Sequence, residues 1–508
     1  MVVRLACGAL QGVDAFRVDL EVDLLRQGLP SFVMVGLAEG AVREAKERVF
    51  AALRSCGFKL PPARITVNLA PADRRKAGSG YDLPLAVAFL AAAGIIPAER
   101  IQGWFLIGEL SLSGEIKPVP GVLPLAVLAR NEGATGILTA PENAPEAAVV
   151  DSLPAYGPRT LGEAINFLMG QLELEPAHID AREPDDAELL LDFADVKGQD
   201  NAKRAIEIAA AGAHNLLLIG PPGSGKTMLA QRIPSVLPPL GFDEALEVTK
   251  IYSVAGMLNG RGLVSRRPFR APHHTVSEVA LVGGGAFPRP GEVSLAHRGV
   301  LFLDELPEYG KSTLDVLRQP LEEGSVSISR VAQAVSFPAD CMLVAAMNPC
   351  PCGYSTDTQH RCVCSAMQIQ RYRSRVSGPL LDRIDLHVNV PAVPYEDLQA
   401  VTPTTSSARM RERVMTARDI QTRRYADTPR CRTNADLSGR MLEQYCHLGA
   451  GEHDFLREAV QRLALSARAY TRILRISRTI ADLAAVETLS VAHLAEAINC
   501  RVLDRESL

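Results

Sequence analysis

Gly220-Pro221-Pro222-Gly223-Ser224-Gly225-Lys226-Thr227 is the stretch of sequence that decides the fold. It follows an apolar run at residues 215–219 that has the composition of a buried parallel strand, and residues 228–232 predict a helix after it. Glycines between a strand and a helix let backbone N–H groups close around phosphates at the helix N-terminus. Lys226 is then placed to reach the β- and γ-phosphates, and the Thr227 hydroxyl to ligate Mg²⁺. The whole stretch, Gly220 to Thr227, is the predicted loop that binds a nucleoside triphosphate.

A strand that ends in two acids, at residues 299–305, supplies the second half of such a site. Asp304 is predicted to hold the Mg²⁺ shell, and Glu305 to activate the attacking water as a general base. An Asp-Glu pair alone also fits a solvated turn, but its place downstream of a phosphate loop favours the catalytic interpretation. Asn348 ends the next apolar strand, where its amide can orient the water against the γ-phosphate.

An arginine that leads into a further strand has two interpretations. Arg383 lies in the turn at residues 378–385. It either forms a surface salt bridge with Asp382 or Asp385, or enters a neighbouring subunit's nucleotide site as a finger, which would make hydrolysis depend on assembly. Further candidates lie on the helix that follows Ser466, at Arg468, Arg472 and Arg475.

At about 150 residues per domain, a chain of 508 residues is expected to contain roughly three domains. The sequence pattern predicts four regions, one of which is a linker. Residues 1–170 interleave strand-like and helical segments, which indicates an α/β or α+β domain. Residues 171–192 are acidic and contain two prolines, so we expect an exposed linker there. Residues 193–393 form a second α/β domain with the phosphate loop, and residues 394–508 are almost wholly helical in pattern.

Composition and charge narrow the class of protein. No apolar run is long enough to cross a bilayer, and the N-terminus lacks the pattern of a secretory signal, so we expect no membrane partner. The ten cysteines favour cytosolic thiols or metal ligands over a disulfide framework, and the expected location is the cytoplasm. With a net charge of −4, the protein as a whole does not attract nucleic acid, so contact with a nucleic acid would depend on local basic patches.

The order of these motifs resembles that of the AAA+ ATPases, and the details resemble the magnesium-chelatase-like branch, which is related to the MCM helicases. Four segments look like the ComM (YifB) family: Phe269-Arg-Ala-Pro-His-His-Thr275, Ala280-Leu-Val-Gly-Gly-Gly285, Pro288-Arg-Pro-Gly-Glu292 and Asn348-Pro-Cys-Pro-Cys-Gly353. The resemblance covers essentially the whole chain. It implies a homo-hexameric ring ATPase that acts on single-stranded, double-stranded or branched DNA. Branch migration during homologous recombination and natural transformation is its implied task, with recombination proteins as further partners.

The resemblance also implies roles for single residues. Asn348 would be sensor 1, Arg383 the arginine finger and Arg468 sensor 2, with Arg472 and Arg475 as alternatives on the same helix.

The amino-terminal domain resembles the Lon-protease (S5-type) domain that carries a Ser-Lys dyad. Alignment places Asp82 at the nucleophile and Leu123 at the lysine, and neither side chain can do that chemistry. The implied fold is α/β overall: an α+β Lon-protease-like domain without its dyad, an AAA+ core, and a C-terminal helical lid. A binding or assembly role is expected for the first domain.

Four cysteines bracket a short loop. Cys350 and Cys352, then Cys362 and Cys364, suit a structural tetrahedral Zn²⁺, because four protein ligands leave no open position; reduced loop cysteines are the alternative.

Two arginine-bearing segments are candidates for contact with DNA. Residues 324–337 predict a β-hairpin, and by resemblance to ring helicases Arg330 would contact phosphates in a central pore. The insertion at residues 259–298 adds Arg266, Arg267 and Arg270, although solvated loops would look similar. His273 and His274 are predicted to be structural, since no carboxylate or cysteine accompanies them.

Two other functions compete with the DNA motor. The same ATPase core drives Mg²⁺ insertion into porphyrins in chelatases, and AAA+ proteins also unfold proteins. Stimulation of ATP hydrolysis by DNA rather than by casein would favour the DNA motor.

Overall fold

A computed structural model gives the fold of residues 2–27, 29–178, 191–285, 288–330, 333–357, 360–394, 405–428, 431–501 and 503. The predicted acidic linker at residues 171–192 lies mostly outside these ranges. Within them helices alternate with strands and the largest sheet is parallel, which confirms the predicted α/β class. None of the helices in these ranges is both long enough and apolar enough to cross a membrane.

The amino-terminal part of the chain combines small sheets with helices. Its strands are β1 (Val2–Gln11), β2 (Asp14–Leu25), β3 (Ser31–Val35), β4 (Arg64–Ala70), β5 (Trp104–Leu106), β6 (Glu109–Leu110), β7 (Ile116–Lys117), β8 (Gly136–Leu138) and β9 (Ala155–Tyr156). Its helices are α1 (Gly40–Ser55), α2 (Asp82–Ala92), α3 (Ala98–Ile101), α4 (Val122–Asn131), α5 (Ala144–Ala147) and α6 (Leu161–Leu168). The main sheet has the order β1-β2-β4-β3, with only β3 and β4 parallel, and β5, β8 and β9 form a second, parallel sheet.

The main sheet is buried on one face because apolar residues alternate along its strands. In β2, every second residue from Phe16 to Leu24 is buried, which is the period expected of a strand with one covered face. Helix α2 packs on β1 and β2 and is buried from Asp82 to Ala91, so it forms the centre of this core.

The central part contains strands β10 (Leu216–Ile219), β11 (Phe269–Arg270), β12 (Gly283–Gly284), β13 (Arg289–Pro290), β14 (Val300–Leu303), β15 (Ser325–Arg330), β16 (Gln333–Pro338), β17 (Met342–Met347) and β18 (Leu386–Asn389). Its helices are α7 (Asp200–Gly212), α8 (Lys226–Arg232), α9 (Phe242–Ala255), α10 (Glu278–Val282), α11 (Glu292–Leu295), α12 (Lys311–Asp315), α13 (Pro320–Glu323), α14 (Ala366–Arg373) and α15 (Gly378–Leu381). Five strands form a parallel sheet in the order β11-β14-β17-β10-β18. Strands β10, β14 and β17 are buried along their whole length, as expected when both faces of a parallel sheet are covered.

The parallel sheet has a carboxyl edge, where its strands end, and an amino edge, where they begin, and the two edges carry different residues of the predicted site. The carboxyl ends of its strands meet at one edge, where the phosphate loop follows β10, Asp304 follows β14 and Asn348 follows β17. Arg383 instead precedes β18, whose Leu386 pairs with Leu216 at the start of β10. The length of β10 therefore separates Arg383 from the phosphate loop by at least about 10 Å.

Two β-hairpins lie among the described residues of the central part. The predicted hairpin at residues 324–337 is confirmed, because β15 and β16 pair antiparallel up to Arg330 opposite Gln333. Strands β12 and β13 form the other hairpin. A Cβ atom on Gly283 would lie 3.3 Å from Cδ1 of Ile328, so the two hairpins pack against each other.

The carboxyl-terminal part is helical among the residues from 405 to 501. Its helices are α16 (Ser407–Arg424), α17 (Gly439–Tyr445), α18 (Ala450–Arg462), α19 (Ala467–Leu483) and α20 (Val491–Asn499). Helix α16 binds the end of α7, since Arg418 Nη2 donates to Ala210 O at 2.9 Å and Gln421 Nε2 donates to Ala211 O at 3.0 Å. One hydrophobic core joins these helices to the parallel sheet.

A buried carboxylate joins the amino-terminal and central parts. Glu146 of α5 accepts hydrogen bonds from the backbone N–H of Leu123 at 2.7 Å and from the Ser253 hydroxyl of α9. The backbone N–H of Gly121 donates to Ser253 O at 2.9 Å. A cavity of about 1600 Å³ borders this contact and reaches both hairpins at Arg289 and Val335.

Candidate nucleotide-binding site

The phosphate loop connects β10 to α8 and depends on its glycines. Gly223 and Gly225 have φ angles of 76° and 90°, in the left-handed region that disfavours side chains. A Cβ atom on Gly220 would lie 2.0 Å from Val390 O, so that position also excludes a side chain. The loop leads directly into the N-terminus of α8, where backbone N–H groups are available to an anion.

Lys226 lies inside the loop and contacts the predicted sensor residue. Its Nζ donates to Gly220 O and Pro221 O, both at 2.8 Å, and to Asn348 Oδ1 at 3.3 Å. Burial lowers the pKa of Lys226, and the negative charges of Asp304 and Glu305 oppose that shift. The structure thus brings the lysine and Asn348 together.

Oxygen donors suited to Mg²⁺ meet beside the lysine. Thr227 Oγ1 donates to Asp304 Oδ2 at 2.6 Å, and the backbone N–H of Glu305 donates to Asp304 Oδ1 at 2.9 Å. Hydroxyl and carboxylate oxygens are the ligands that Mg²⁺ takes alongside phosphates and water. The donor set of Thr227 and Asp304 therefore fits a magnesium nucleotide.

Glu305, the predicted general base, has an unusual backbone conformation. Its φ angle is 52°, and 59% of its side chain is exposed. His274 Nδ1 lies 3.5 Å from Glu305 Oε2. The expectation that no carboxylate accompanies His274 was therefore wrong, because the fold supplies a partner distant in sequence.

Arg383 contacts neither of the aspartates that the sequence offered as partners. Its guanidinium donates to Pro379 O and pairs with Glu322, while Asn215 Nδ2 donates to the Arg383 carbonyl at 2.9 Å. Its Nε is buried without a hydrogen-bond partner. Together with its place before β18, this keeps Arg383 away from the phosphate loop of its own chain.

The three candidate arginines of α19 differ in their contacts. Arg468 is 65% exposed and pairs with Asp382 at 2.7 Å, so it lies at the same edge as Arg383. Arg472 pairs with the buried Asp385. Arg475 Nε donates to Leu437 O at 2.6 Å. Arg468 is the least engaged of the three.

The four predicted cysteine ligands meet in one cluster. The Sγ atom of Cys350 lies 3.4 Å from that of Cys352 and 3.8 Å from that of Cys362, and all four Sγ atoms, including that of Cys364, lie within 4.8 Å of one another. A tetrahedral Zn²⁺ with about 2.3 Å bonds requires sulfur atoms roughly 3.8 Å apart. Backbone hydrogen bonds, first from Val363, lower the pKa of Cys352 to about 6, whereas desolvation and hydrogen bonds among the cysteines raise the pKa values of Cys362 and Cys364. The donor set fits zinc.

The cysteine loop also touches the phosphate loop. A Cβ atom on Gly353 would lie 2.4 Å from Cδ of Pro222, and Gly353 has a φ angle of 87°. Glycine is therefore required where the two loops meet.

The arginines predicted to contact DNA fall into two groups. Arg267 donates to Pro238 O at 2.5 Å and to Arg298 O at 2.6 Å, and it pairs with Glu244. Arg270 forms a bidentate pair with Glu292 at 2.6 and 2.8 Å. Both guanidiniums are thus engaged within the fold. Arg266 is partly exposed, and Arg330 ends β15, with its side chain outside the described part.

The sequence analysis missed one residue that supports the phosphate loop. Gln199 Nε2 donates to Ser224 O at 3.2 Å and to Pro391 O at 2.6 Å, so it ties the loop to the segment after β18. Its φ angle is 62°. The sequence signal at Gln199, a polar residue that follows Gly198 and precedes a helix, indicates a turn. It does not reveal which residues Gln199 contacts.

The amino-terminal positions aligned with the Lon dyad are both buried. Asp82 accepts from Arg48 Nε at 2.6 Å and Nη2 at 2.9 Å, and from the backbone N–H of Leu110 at 3.2 Å. Leu123 lies in the core of α4. This geometry offers an ion pair and an apolar side chain rather than a nucleophile with its base.

Comparison with known families divides the chain into three matches. The family described as "Magnesium chelatase, subunit ChlI" matches residues 192–398, which hold the nucleotide site. "Subunit ChlI of Mg-chelatase" matches residues 20–143, and "Magnesium chelatase, subunit ChlI C-terminal" matches residues 404–501. A magnesium-chelatase-like AAA+ core implies ATPase activity with ATP and Mg²⁺.

Individual relatives match over very different lengths. Competence protein ComM of Haemophilus influenzae is 46% identical over 502 residues, which cover 98% of this chain and 97% of the relative. The uncharacterized protein YifB of Escherichia coli is 43% identical over 98% of this chain and 96% of its own. The magnesium-chelatase 67 kDa subunit of Chlorobaculum parvum is 27% identical over 32% of this chain and 24% of its own. The chain belongs to the ComM (YifB) family of magnesium-chelatase-like AAA+ proteins.

Proposed function

We propose that the protein is an ATP-dependent DNA translocase and helicase that promotes branch migration of recombination intermediates, as in natural transformation. The observation that carries the proposal is the division of the nucleotide site between two edges of one sheet. Lys226, Asp304 and Asn348 lie at the carboxyl edge, while Arg383 lies at the amino edge. An arginine held there serves a second copy of the chain, which supports a homo-hexameric ring. Similarity to Competence protein ComM supports DNA as the substrate.

Each residue of the site has a role in ATP hydrolysis. Lys226 exchanges its carbonyl partners for phosphate oxygens, and Thr227 with Asp304 would hold Mg²⁺, which would supply positive charge to the phosphates. Glu305 accepts a proton from water, and Asn348 orients that water. Arg383 of a neighbouring copy leaves Pro379 O and Glu322 and, assisted by Arg468 as sensor 2, stabilises the negative charge that develops during phosphoryl transfer.

The two hairpins form the contact with DNA in this proposal. Arg330 lies at the end of β15, and β12 packs against β15, so the two hairpins are in contact. Lysine and arginine contacts to phosphates give affinity without reading sequence, which suits a motor on branched DNA. Arg266 is a further candidate, and Arg267 and Arg270 would have to leave their present partners to reach DNA.

The remaining parts have supporting roles. The amino-terminal domain is a Lon-protease-like fold without its dyad that serves binding or assembly, and the carboxyl-terminal helices form the lid of the ATPase core. The four cysteines hold a structural Zn²⁺ that fixes the loop between Asn348 and α14. The enzyme works in the cytoplasm.

The test is ATP-dependent unwinding of a synthetic four-way junction. We expect the native chain to separate the arms, and Lys226→Ala and Arg383→Ala each to abolish unwinding. A mixture of the two variants should recover part of the activity, because Arg383→Ala subunits keep intact phosphate loops and Lys226→Ala subunits supply the missing arginine. Arg457→Ala, a surface change on α18, is the matched control and should behave as the native chain.

The other possible results contradict either the DNA motor or the role of Arg383. Hydrolysis of ATP with an intact junction at low salt, where phosphate contacts are strongest, contradicts the DNA motor. Stimulation by casein would then favour an unfoldase, and stimulation by porphyrin and Mg²⁺ a chelatase motor. No recovery in the mixture would show that Arg383 does not serve a neighbouring site.

A further inference from the structure

We infer that Asn215 is a positioning residue for Arg383, because its side-chain amide fixes the backbone from which that arginine reaches a neighbouring nucleotide site. The inference rests on the proposed function, since it takes Arg383 to serve a second copy of the chain. It adds a residue that lies in the strand segment before the phosphate loop, outside the motifs that define the nucleotide site.

The backbone of Arg383 sets how far its guanidinium can reach. The side chain is 11% exposed, and its guanidinium pairs with Glu322 and donates to Pro379 O. To enter a neighbouring copy, the side chain has to swing out of these contacts, and the main chain at residue 383 is the origin of that swing. A catalytic group displaced by about 1 Å loses much of its effect on rate, so this backbone needs a firm anchor.

The side-chain amide of Asn215 supplies the anchor with both of its polar atoms. Its Nδ2 donates to the Arg383 carbonyl at 2.9 Å, and its Oδ1 accepts from the backbone N–H of Leu343 at 2.8 Å. Leu343 belongs to β17, the central strand of the parallel sheet. The amide therefore ties the turn that carries Arg383 to the middle of the sheet, which requires a donor and an acceptor on one short side chain.

The end of the turn has anchors of its own. The backbone N–H groups of Asp385 and Leu386 both donate to the Asn215 carbonyl at 3.0 Å, and the buried Asp385 carboxylate pairs with Arg472. These bonds do not use the Asn215 side chain. A change of the amide therefore loosens Arg383 while β18 remains paired with β10.

The place of Asn215 gives a rival interpretation, because the residue also precedes β10, which leads into the phosphate loop of its own chain. In that interpretation, a substitution damages the nucleotide site of the same subunit and leaves Arg383 in place. The two effects impair different halves of a shared site. Mixed assemblies separate them.

The experiment first measures kcat and KM for ATP hydrolysis by Asn215→Asp, which keeps an acceptor for Leu343 but turns an oxygen toward the Arg383 carbonyl. We expect kcat to fall about 5- to 100-fold, the range set by one buried carbonyl left without its donor. KM for ATP should stay native, since the phosphate loop is unchanged. Asn166→Asp, the same change at an exposed position of α6, is the matched control.

Mixtures of variants then identify the impaired half of the site. Asn215→Asp mixed with Lys226→Ala should recover ATP hydrolysis, because the first supplies intact phosphate loops and the second a correctly placed Arg383. Asn215→Asp mixed with Arg383→Ala should show only the average of the two, because neither offers a placed arginine. Asn215→Ala, which removes both hydrogen bonds without adding a charge, should give the same pattern.

The opposite pattern, recovery with Arg383→Ala and not with Lys226→Ala, would overturn the inference and assign the defect to the phosphate loop. Native kcat in both Asn215 variants, or recovery of both variants with neither partner, would overturn it as well. Absence of recovery when Lys226→Ala is mixed with Arg383→Ala is a separate result, which contradicts the proposed role of Arg383 and the inference with it. Recovery in that mixture together with the opposite pattern contradicts the inference alone.

Discussion

At the scale of single residues, the charge of Asp82 depends on one arginine. Burial raises the pKa of Asp82, and hydrogen bonds from Arg48 and from the Leu110 backbone oppose that rise. The carboxylate has no exposed surface. A buried charge without its partner is costly, so Arg48 keeps this core folded.

We expect Arg48→Ala to lower the free energy of unfolding by about 3 to 5 kcal/mol, because it leaves the Asp82 carboxylate buried and unpaired. The double variant Arg48→Met/Asp82→Leu should recover most of that loss, since an apolar pair removes the need for compensation. Urea unfolding of the three proteins measures both values. A double variant no more stable than Arg48→Ala would contradict this account.

Glu247 gives a second residue-scale prediction, on pH. A hydrogen bond from His297, together with the charge of Arg298, lowers the pKa of Glu247 from 4.5 to about 2. A depressed folded-state pKa contributes stability above the unfolded value and loses it as the pH falls. The stability advantage of the native chain over Glu247→Gln should therefore shrink from pH 4.5 downwards to about 2. Urea unfolding against pH measures it, with the exposed Glu458→Gln as control; a constant difference would refute the assignment.

Local spacing predicts the phosphate loop and the acids, but it does not reveal pairings across the fold. Lys226, Asp304 and Asn348 converge because each ends or follows a parallel strand, which the sequence pattern reveals. The sequence did not reveal that Arg270 is engaged, since its partner Glu292 lies 22 residues away, beyond α10 and the β12–β13 hairpin. His274 meets Glu305 only through the register of two short strands.

At the scale of elements, the β15–β16 hairpin is where DNA affinity should be lost. We expect Arg330→Ala to weaken binding by a similar factor for unrelated DNA sequences. The slope of log affinity against log salt should decrease by about 1, because one phosphate contact is removed. Fluorescence anisotropy with two sequences at several salt concentrations measures this. Arg457→Ala serves as the control, and a sequence-dependent loss would speak against a pure phosphate contact.

The cysteine loop is the second element with a measurable property. We expect about one zinc per native chain by elemental analysis, and none in Cys362→Ser/Cys364→Ser, because two thiolates cannot complete a tetrahedral site. ATP affinity should fall in that variant, since Gly353 packs on Pro222 of the phosphate loop. Cys56→Ser, outside the cluster, should keep its zinc. A native chain without zinc would favour reduced loop cysteines.

At the scale of the whole molecule, Glu146 and Ser253 connect the amino-terminal part to the ATPase core. Burial raises the pKa of Glu146, and its hydrogen bonds, led by that from Ser253, oppose the shift. Neither residue belongs to a recognisable motif, and the sequence offered no signal for this contact.

Removing the Ser253 hydroxyl should loosen the interface without unfolding either part. We expect Ser253→Ala to cost about 1 to 3 kcal/mol, because it leaves a buried carboxylate with one donor fewer. Amide hydrogen exchange should accelerate in α4 and α9. Ser477→Ala, an equally buried serine in α19, should leave those two helices unaffected. Equal acceleration in both variants would contradict a specific link.

The place of Arg383 before β18 has a consequence for the rate law of the enzyme. If a neighbour supplies that arginine, a dilute chain retains nucleotide but does not turn it over. The turnover number per subunit then depends on protein concentration, rising steeply through the range of assembly and reaching a plateau above it. Under the proposed function, a cell that holds the chain below that range would consume no ATP through it until the chain accumulates locally on a junction.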